Sequence, residues 1–144
     1  MTDQDSHRDL LGHVLVPVAH ADDAAKTATA LASYDPKRVT VLHVVEKAGG
    51  APDKTPVEQS EEIAAESYAT FREIFPDADI HVKYARDVVE AIFEAIEEVD
   101  ASAVAYRSRG GNRIVQFLSG DLSLKLVTQC DLPVIALPRV ESSE

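Results

Sequence analysis

From Gly12 onward the chain alternates short runs of β-branched and other apolar residues with longer amphipathic stretches, and this alternation restricts the fold more than any other feature. The runs Val14-Leu15-Val16-Pro17-Val18 and Val39-Thr40-Val41-Leu42-His43-Val44-Val45 are too continuously apolar for strands with one wet face. They suit parallel strands covered on both sides, which a strand-helix-strand chain produces. At 144 residues there is room for one such domain and its core, and little for a second.

Read in order, His13 to Val18 is expected as the first strand. Ala24 to Ser33 follows as a helix with Ala24, Ala28, Leu31 and Ala32 inward and Asp22 and Asp23 at its positive end. Val39 to Val45 is the second strand, and Glu46 to Val57, holding Gly49, Gly50, Pro52 and Pro56, is expected as a loop. Glu58 to Phe75 reads as a helix burying Ile63, Phe71, Ile74 and Phe75, closed by Pro76. Asp79 to Tyr84 is the third strand. Asp87 caps a helix to Val99 that turns Val88, Val89, Ile92, Ala95, Ile96 and Val99 inward and leaves Glu90, Glu94, Glu97 and Glu98 as a solvated face. Ser102 to Tyr106 is a short buried strand, a Gly110-Gly111-Asn112 turn leads into a helix ending near Cys130, and Leu132 to Leu137 is the last strand. Right-handed crossovers then give a single open, mostly parallel five-stranded sheet with helices on both faces, a Rossmann-like α/β fold. The domain is expected over residues 12–139, between a flexible N-terminus at 1–11 and a flexible tail at 140–144.

Charge narrows the function classes. Asp plus Glu number 25 against 14 Lys plus Arg, a formal net charge of -11, and such a surface repels nucleic acid. The same acidity suits a salt-rich cytoplasm and points to a halophilic source. No apolar run approaches the roughly 20 residues of a membrane helix, and Met1 to Asp9 is polar and acidic, so a cytoplasmic protein without membrane insertion is expected. Cys130 stands alone, which excludes an intramolecular disulfide. His7, His13, His20, His43 and His81 are scattered without ligand spacing, so no metal site is expected.

In an open parallel sheet, ligands bind at the carboxyl ends of the strands beside the point where strand order reverses. Three segments reach that edge: Pro17-Val18-Ala19-His20, His43-Val44-Val45, and Arg107 to Asn112. Glycines before a helix let backbone N–H groups converge on an anion, although a glycine pair after a strand is as readily a plain tight turn. Val18, Ala19 and Val44 are candidate lining residues, with Arg107, Arg109, Gly110, Gly111, Asn112 and Arg113 as candidate anion contacts.

The segment Arg107-Ser108-Arg109-Gly110, nine residues, then Gly120-Asp121-Leu122-Ser123, followed by Leu132-Pro133-Val134-Ile135-Ala136-Leu137, resembles the C-terminal signature of the universal stress protein family. Nucleotide-binding members carry G-x2-G-x9-G-[ST] there, and the resemblance implies Gly110, Gly120, Asp121, Leu122 and Ser123 as candidate nucleotide contacts. The likeness extends to Val14-Leu15-Val16-Pro17-Val18, to Val41-Leu42-His43-Val44-Val45 and to Asp87-Val88-Val89-Glu90-Ala91-Ile92, so it spans nearly the whole chain in order. It implies an adenine nucleotide alpha-hydrolase-like sheet and a homodimer paired through the last strand, here Val134, Ile135, Ala136 and Leu137 between Pro133 and Pro138.

The departures from the pattern bear on function. Where relatives place a base-contacting Asp, this chain has Ala19; the first glycine of the signature is Arg107; the Ser or Thr after its last glycine is Asp121. An ionised carboxylate accepts hydrogen bonds and repels phosphate where a hydroxyl would donate. ATP in the usual pose is therefore expected to bind weakly, and no cofactor is assigned with certainty. Against this, Arg107, Arg109 and Arg113 place three of the 14 basic residues within seven positions. They either form an anion site of another design or pair with local acids, with Asp121 and Asp87 as the nearest candidates by topology.

Other residues carry less. His43 is expected as a hydrogen-bonded core histidine, His20 as an exposed loop residue and Cys130 as an inert packing residue. Ser102, Ser108, Ser119 and Ser123 lack a nucleophile-elbow context, so a hydrolase is not supported. A slow nucleotide hydrolase would need a Mg²⁺ ligand, for which Asp121 alone presents itself. The reading is a non-enzymatic universal-stress-type dimer with a degenerate nucleotide site and an unknown protein partner. The alternative is an adenine-nucleotide-binding switch with a modified phosphate site.

Overall fold

The computed structural model describes residues 9–18, 21–46, 54–107 and 120–137, so most of the two expected flexible termini lies outside the described residues. Its elements are β1 (Val14–Val18), α1 (Ala21–Ala32), β2 (Val39–Glu46), α2 (Lys54–Arg72), β3 (Asp79–Ala85), α3 (Val88–Val99), β4 (Ala103–Arg107), α4 (Gly120–Gln129) and β5 (Val134–Leu137). All described strand pairings are parallel, in the order β3-β2-β1-β4-β5. Helices α1 and α2 pack together on one face of the sheet; α3 covers β2 and β3 on the other and meets α4.

Each face has its own core because β1 is buried over its whole length. Val14, Val16 and Val18 join Ala24, Ala28, Leu31, Val41 and Phe71 under α1 and α2. Leu15 faces the opposite way, into Leu42, Val89, Ile92, Val104 and Leu126 under α3 and α4. This two-sided burial is why the sequence runs read as continuous rather than alternating.

Several boundaries and faces differ from expectation. Helix α2 begins at Lys54, four residues before Glu58, because Pro56 falls in its first turn, where a missing N–H costs nothing. Its inward stripe is Ala64, Ser67 and Phe71, while Ile63 on its flank and Ile74, in the turn after the helix ends at Arg72, are exposed. Ala32 is exposed as well, since α1 turns Ala24, Ala28 and Leu31 inward and ends there. The glutamates of α3 are not simply a solvated face: Lys83 Nζ of β3 reaches Glu94 at 3.0 Å and Glu98 at 2.8 Å, and His81 Nε2 reaches Glu98 at 2.7 Å. Asp87 is the N-cap of α3, its carboxylate accepting from the N–H groups of Val89 and Glu90.

The amino edge is closed by polar contacts between non-adjacent segments. The Ser102 hydroxyl accepts from the backbone N–H of His13 at 3.0 Å, and the His13 ring meets Thr40 Oγ1 at 2.7 Å. Asp9 pairs with Lys37 at 2.7 Å, and Leu11 packs against the core. Burial holds the imidazoles of both His13 and His43 below the ordinary histidine range, with Arg38 adding to the effect at His13.

The sign of the resulting pH dependence follows from that direction. Both rings accept protons more readily when unfolded, so their contribution is full above the unfolded value of about 6.5 and is lost progressively as pH falls from there through the lower folded values. The urea midpoint is expected to fall between about pH 7.5 and pH 5.5. His43→Gln should shrink that fall, and an unchanged pH profile in the variant would contradict the assignment.

Candidate functional site

The sheet opens at its carboxyl edge between β1 and β4. Strand β1 stays registered with β2 as far as Val18↔His43, but its pairing with β4 stops at Leu15↔Val104. Pro17 comes two residues later and has no N–H to give to a ladder. This is also where strand order reverses, since β2 and β3 lie on one side of β1 and β4 and β5 on the other.

Arg107, the last residue of β4, is aligned with Leu137 of β5. Counting on from Leu15↔Val104, it is level with Val18 and therefore with His43. Its side chain turns to the α1 face, where Nη2 meets Oδ1 of Asp23 at 3.4 Å. Both side chains are nearly enclosed, at 9% and 7% exposure. Thr27, one helical turn beyond, donates its hydroxyl to the same carboxylate oxygen at 3.5 Å.

The structure thus answers for one of the three clustered arginines, and corrects the partner. Arg107 pairs with Asp23, and Asp87 is engaged elsewhere, capping α3 and meeting Lys125 Nζ of α4 at 3.3 Å. The Glu90 backbone N–H foremost, and the Lys125 ammonium, hold the Asp87 carboxyl below the usual carboxylate range. The sequence places Asp23 at the positive end of the first helix without marking it as a site residue, and it offers nothing that marks Lys125. A signal for Asp23 exists, because Asp23, Thr27 and Ala30 form a second buried stripe beside Ala24, Ala28 and Leu31.

Val18 and Val44 are both buried, and Val44 belongs to the opposite core. The structure therefore does not bring them to one face: Val18 shares the Arg107 side, while Val44 faces α3. Ala19, His20, Ser108, Arg109, Gly110, Gly111, Asn112, Arg113 and Ser119 lie outside the described residues. Gly120, Asp121, Leu122 and Ser123 form the first turn of α4.

His43 differs from expectation in part: the ring is buried and one contact runs to the Val18 backbone, but Nδ1 has no partner. Burial pushes the Cys130 thiol up, which keeps it protonated. Ser102 is committed to backbone groups. Among the described residues no cluster of three or more His, Cys, Asp or Glu is placed to hold a metal ion, and no helix is long and apolar enough to cross a membrane. At the β5 edge, Leu10, Leu11, Leu31, Tyr34, Ile135, Ala136 and Leu137 line an apolar groove of about 250 Å³.

A parallel α/β domain wound in both directions from a central strand, with β1 and β4 parting at the reversal point, defines a broad class of ligand-binding folds. Within it this chain belongs to the universal stress protein family, whose model matches residues 11–138. Among solved structures it is similar to the universal stress protein from Archaeoglobus fulgidus in complex with dAMP, at 18% identity over 88% of this chain and 97% of that one, TM-score 0.65. It is similar to a universal stress protein from Lactobacillus plantarum at 19% identity, over 90% and 99% of the two chains, TM-score 0.64. It is also similar to a family protein from Arabidopsis thaliana with AMP bound, at 17% identity over 90% and 92%, TM-score 0.63. No curated protein sequence matches it.

The buried pair makes a stability prediction. Arg107→Met alone should lower the unfolding free energy by about 3 kcal/mol, because the enclosed Asp23 carboxylate then loses its contact with the Arg107 guanidinium. The double variant Asp23→Leu, Arg107→Met should recover to within about 1 kcal/mol of the parent. Urea unfolding of the four chains of this cycle checks both values, and additive losses would mean that the two side chains do not interact.

Proposed function

We propose that this chain is a non-enzymatic universal-stress-type domain that serves stress tolerance in the cytoplasm as a homodimer, with a strand-end site no longer shaped for ATP in the family's usual pose. One observation carries the reading: where the family signature has its first glycine, Arg107 sends a guanidinium across the crevice to Asp23. Bare backbone there leaves space for a polyphosphate, and a side chain paired with an acid takes that space. Ala19 and Asp121 act in the same direction, one by removing a base contact and the other by adding a negative charge beside α4.

Isothermal titration tests this. The parent is expected to show no micromolar ATP binding, and the triple change Ala19→Asp, Arg107→Gly, Asp121→Ser is expected to bind measurably tighter. Micromolar binding by the parent would overturn the reading.

Dimerisation is supported by the position of β5 at the sheet edge, with β4 as its described neighbour. The apolar groove beside it, with Leu10 and Tyr34 half exposed, adds surface that a second copy would cover. Pro133 precedes the strand, which limits pairing to Val134, Ile135, Ala136 and Leu137. Light scattering at low and high salt is expected to give a dimer for the parent and a monomer for Ala136→Pro, which removes a ladder donor. A parent that stays monomeric when concentrated would contradict it.

A second reading, an adenine-nucleotide or anion switch with a modified phosphate site, is favoured by two observations. The structural relatives described above include chains with AMP and dAMP. Arg107 also keeps one guanidinium donor, Nε, without a partner. Arg109 and Arg113, with Gly110, Gly111 and Asn112, would complete such a site.

A further inference from the structure

Residues Asp9 to Gly12 form a tight turn ahead of β1, closed by the Gly12 N–H donating to the Asp9 carbonyl at 2.9 Å. Leu10 and Leu11 of this turn form part of the wall of the apolar groove beside β5. Leu11 packs against the core, but Leu10 is half exposed, so the turn depends on polar bonds to keep its place. The Lys37 N–H donates to the Leu11 carbonyl at 2.8 Å, the Ser102 hydroxyl reaches the Leu10 carbonyl at 3.1 Å, and Asp9 meets Lys37 Nζ at 2.7 Å.

The next residue, His13, ties the turn to the rest of the amino edge. Its N–H donates to Ser102 Oγ at 3.0 Å, and its carbonyl accepts from the Ser102 N–H at 2.7 Å. The ring reaches further, with Nε2 2.7 Å from Thr40 Oγ1 of β2 and a contact to the Asp100 backbone. His13, Thr40 and Ser102 are all buried. A neutral imidazole suits this place, because one nitrogen donates and the other accepts. An imidazolium must donate from both nitrogens, and it brings a charge where little water reaches. Arg38, just ahead of β2, repels that charge, whereas Asp79 of β3 and Asp100 beyond α3 attract it. Arg38 and Asp79 are themselves paired at 3.2 Å, and burial with Arg38 outweighs the two carboxylates.

We propose that His13 is an acid-operated latch on the N-terminal turn. With the ring neutral, the turn is seated against Ser102 and Lys37. When the ring takes a proton, His13 swings out to water, its bonds to Thr40 and Ser102 break, and Leu10 and Leu11 leave the groove beside β5. The opening is local, because the backbone bonds that fail all lie ahead of the first paired residues of β1 and β4, Val14 and Ala103. Acid thereby reshapes an apolar surface while the two cores stay packed. The latch is independent of the dimer, since it is read at the turn itself.

Native-state hydrogen exchange on the full chain tests the latch, through the protection factors of the Gly12, Lys37 and Ser102 amides at about pH 7.5 and about pH 5.5, with and without about 1 M urea. An imidazole free in water titrates near pH 6.5 and is charged about ten to one at pH 5.5, so protection at these amides is expected to fall about five- to tenfold on acidification. It should also be insensitive to the urea, as a local opening is. His13→Gln keeps a donor and an acceptor without a titrating group and should lose the pH response, whereas His43→Gln should keep it. No fall in the parent, or a fall that persists in His13→Gln, overturns the latch. So does protection that drops with urea as steeply as that of the Val104 amide, which donates to Pro133 within the sheet, because the turn then opens only with the whole chain. Should His13→Gln not fold, Thr40→Val, close to isosteric in its strand, decides the matter. Loss of the hydroxyl is expected to lower Lys37 protection already at about pH 7.5, and unchanged protection overturns the latch.

Discussion

Strand β1 is buried on both faces and flanked by strands on both edges, and the other elements take their places from it. Its alternate residues feed two separate cores, so helices are required on both sides of the sheet. Its one irregularity is Pro17. The strand keeps its register with β2 to the end but parts from β4 after Leu15, and the parting falls where the winding direction reverses. The parting of β1 and β4 at that point is therefore a consequence of the strand's own composition as much as of the topology.

What fills the crevice distinguishes this chain from the family's usual pattern. A glycine at the end of β4 would leave backbone exposed to a ligand. Arg107 instead crosses to the first turn of α1 and meets Asp23, so a cation from β4 and an anion from α1 meet beside the end of β1. Both charges are enclosed, and the contact is long and single. The pair therefore links β4 to α1 mechanically while leaving guanidinium bonding capacity unused.

The architecture was legible in the sequence because its signals are strong ones. Doubly buried parallel strands read as continuous apolar runs, and the Asp87 cap together with the Val88, Val89, Ile92 and Ala95 stripe marks α3 without ambiguity. Weaker signals misled where two rules compete. Pro56 reads as a loop residue but is equally at home in a first helical turn, and Ile63 outranks Ala64 and Ser67 in hydrophobicity although α2 turns the smaller residues inward. The site was legible in part. The position of Arg107 and its departure from the family pattern come from the sequence, whereas its partner does not, because the pairing joins residues 84 positions apart. Sequence proximity along the strand ends favours Asp87 and Asp121; packing of α1 against β4 selects Asp23.

The central claim is that the crevice of this family member is occupied by its own side chains rather than by ATP. Native mass spectrometry of the freshly purified chain, followed by denaturation and identification of any released small molecule, tests it most directly. The account predicts protein without stoichiometric ATP. One ATP per chain, carried through purification, would contradict it.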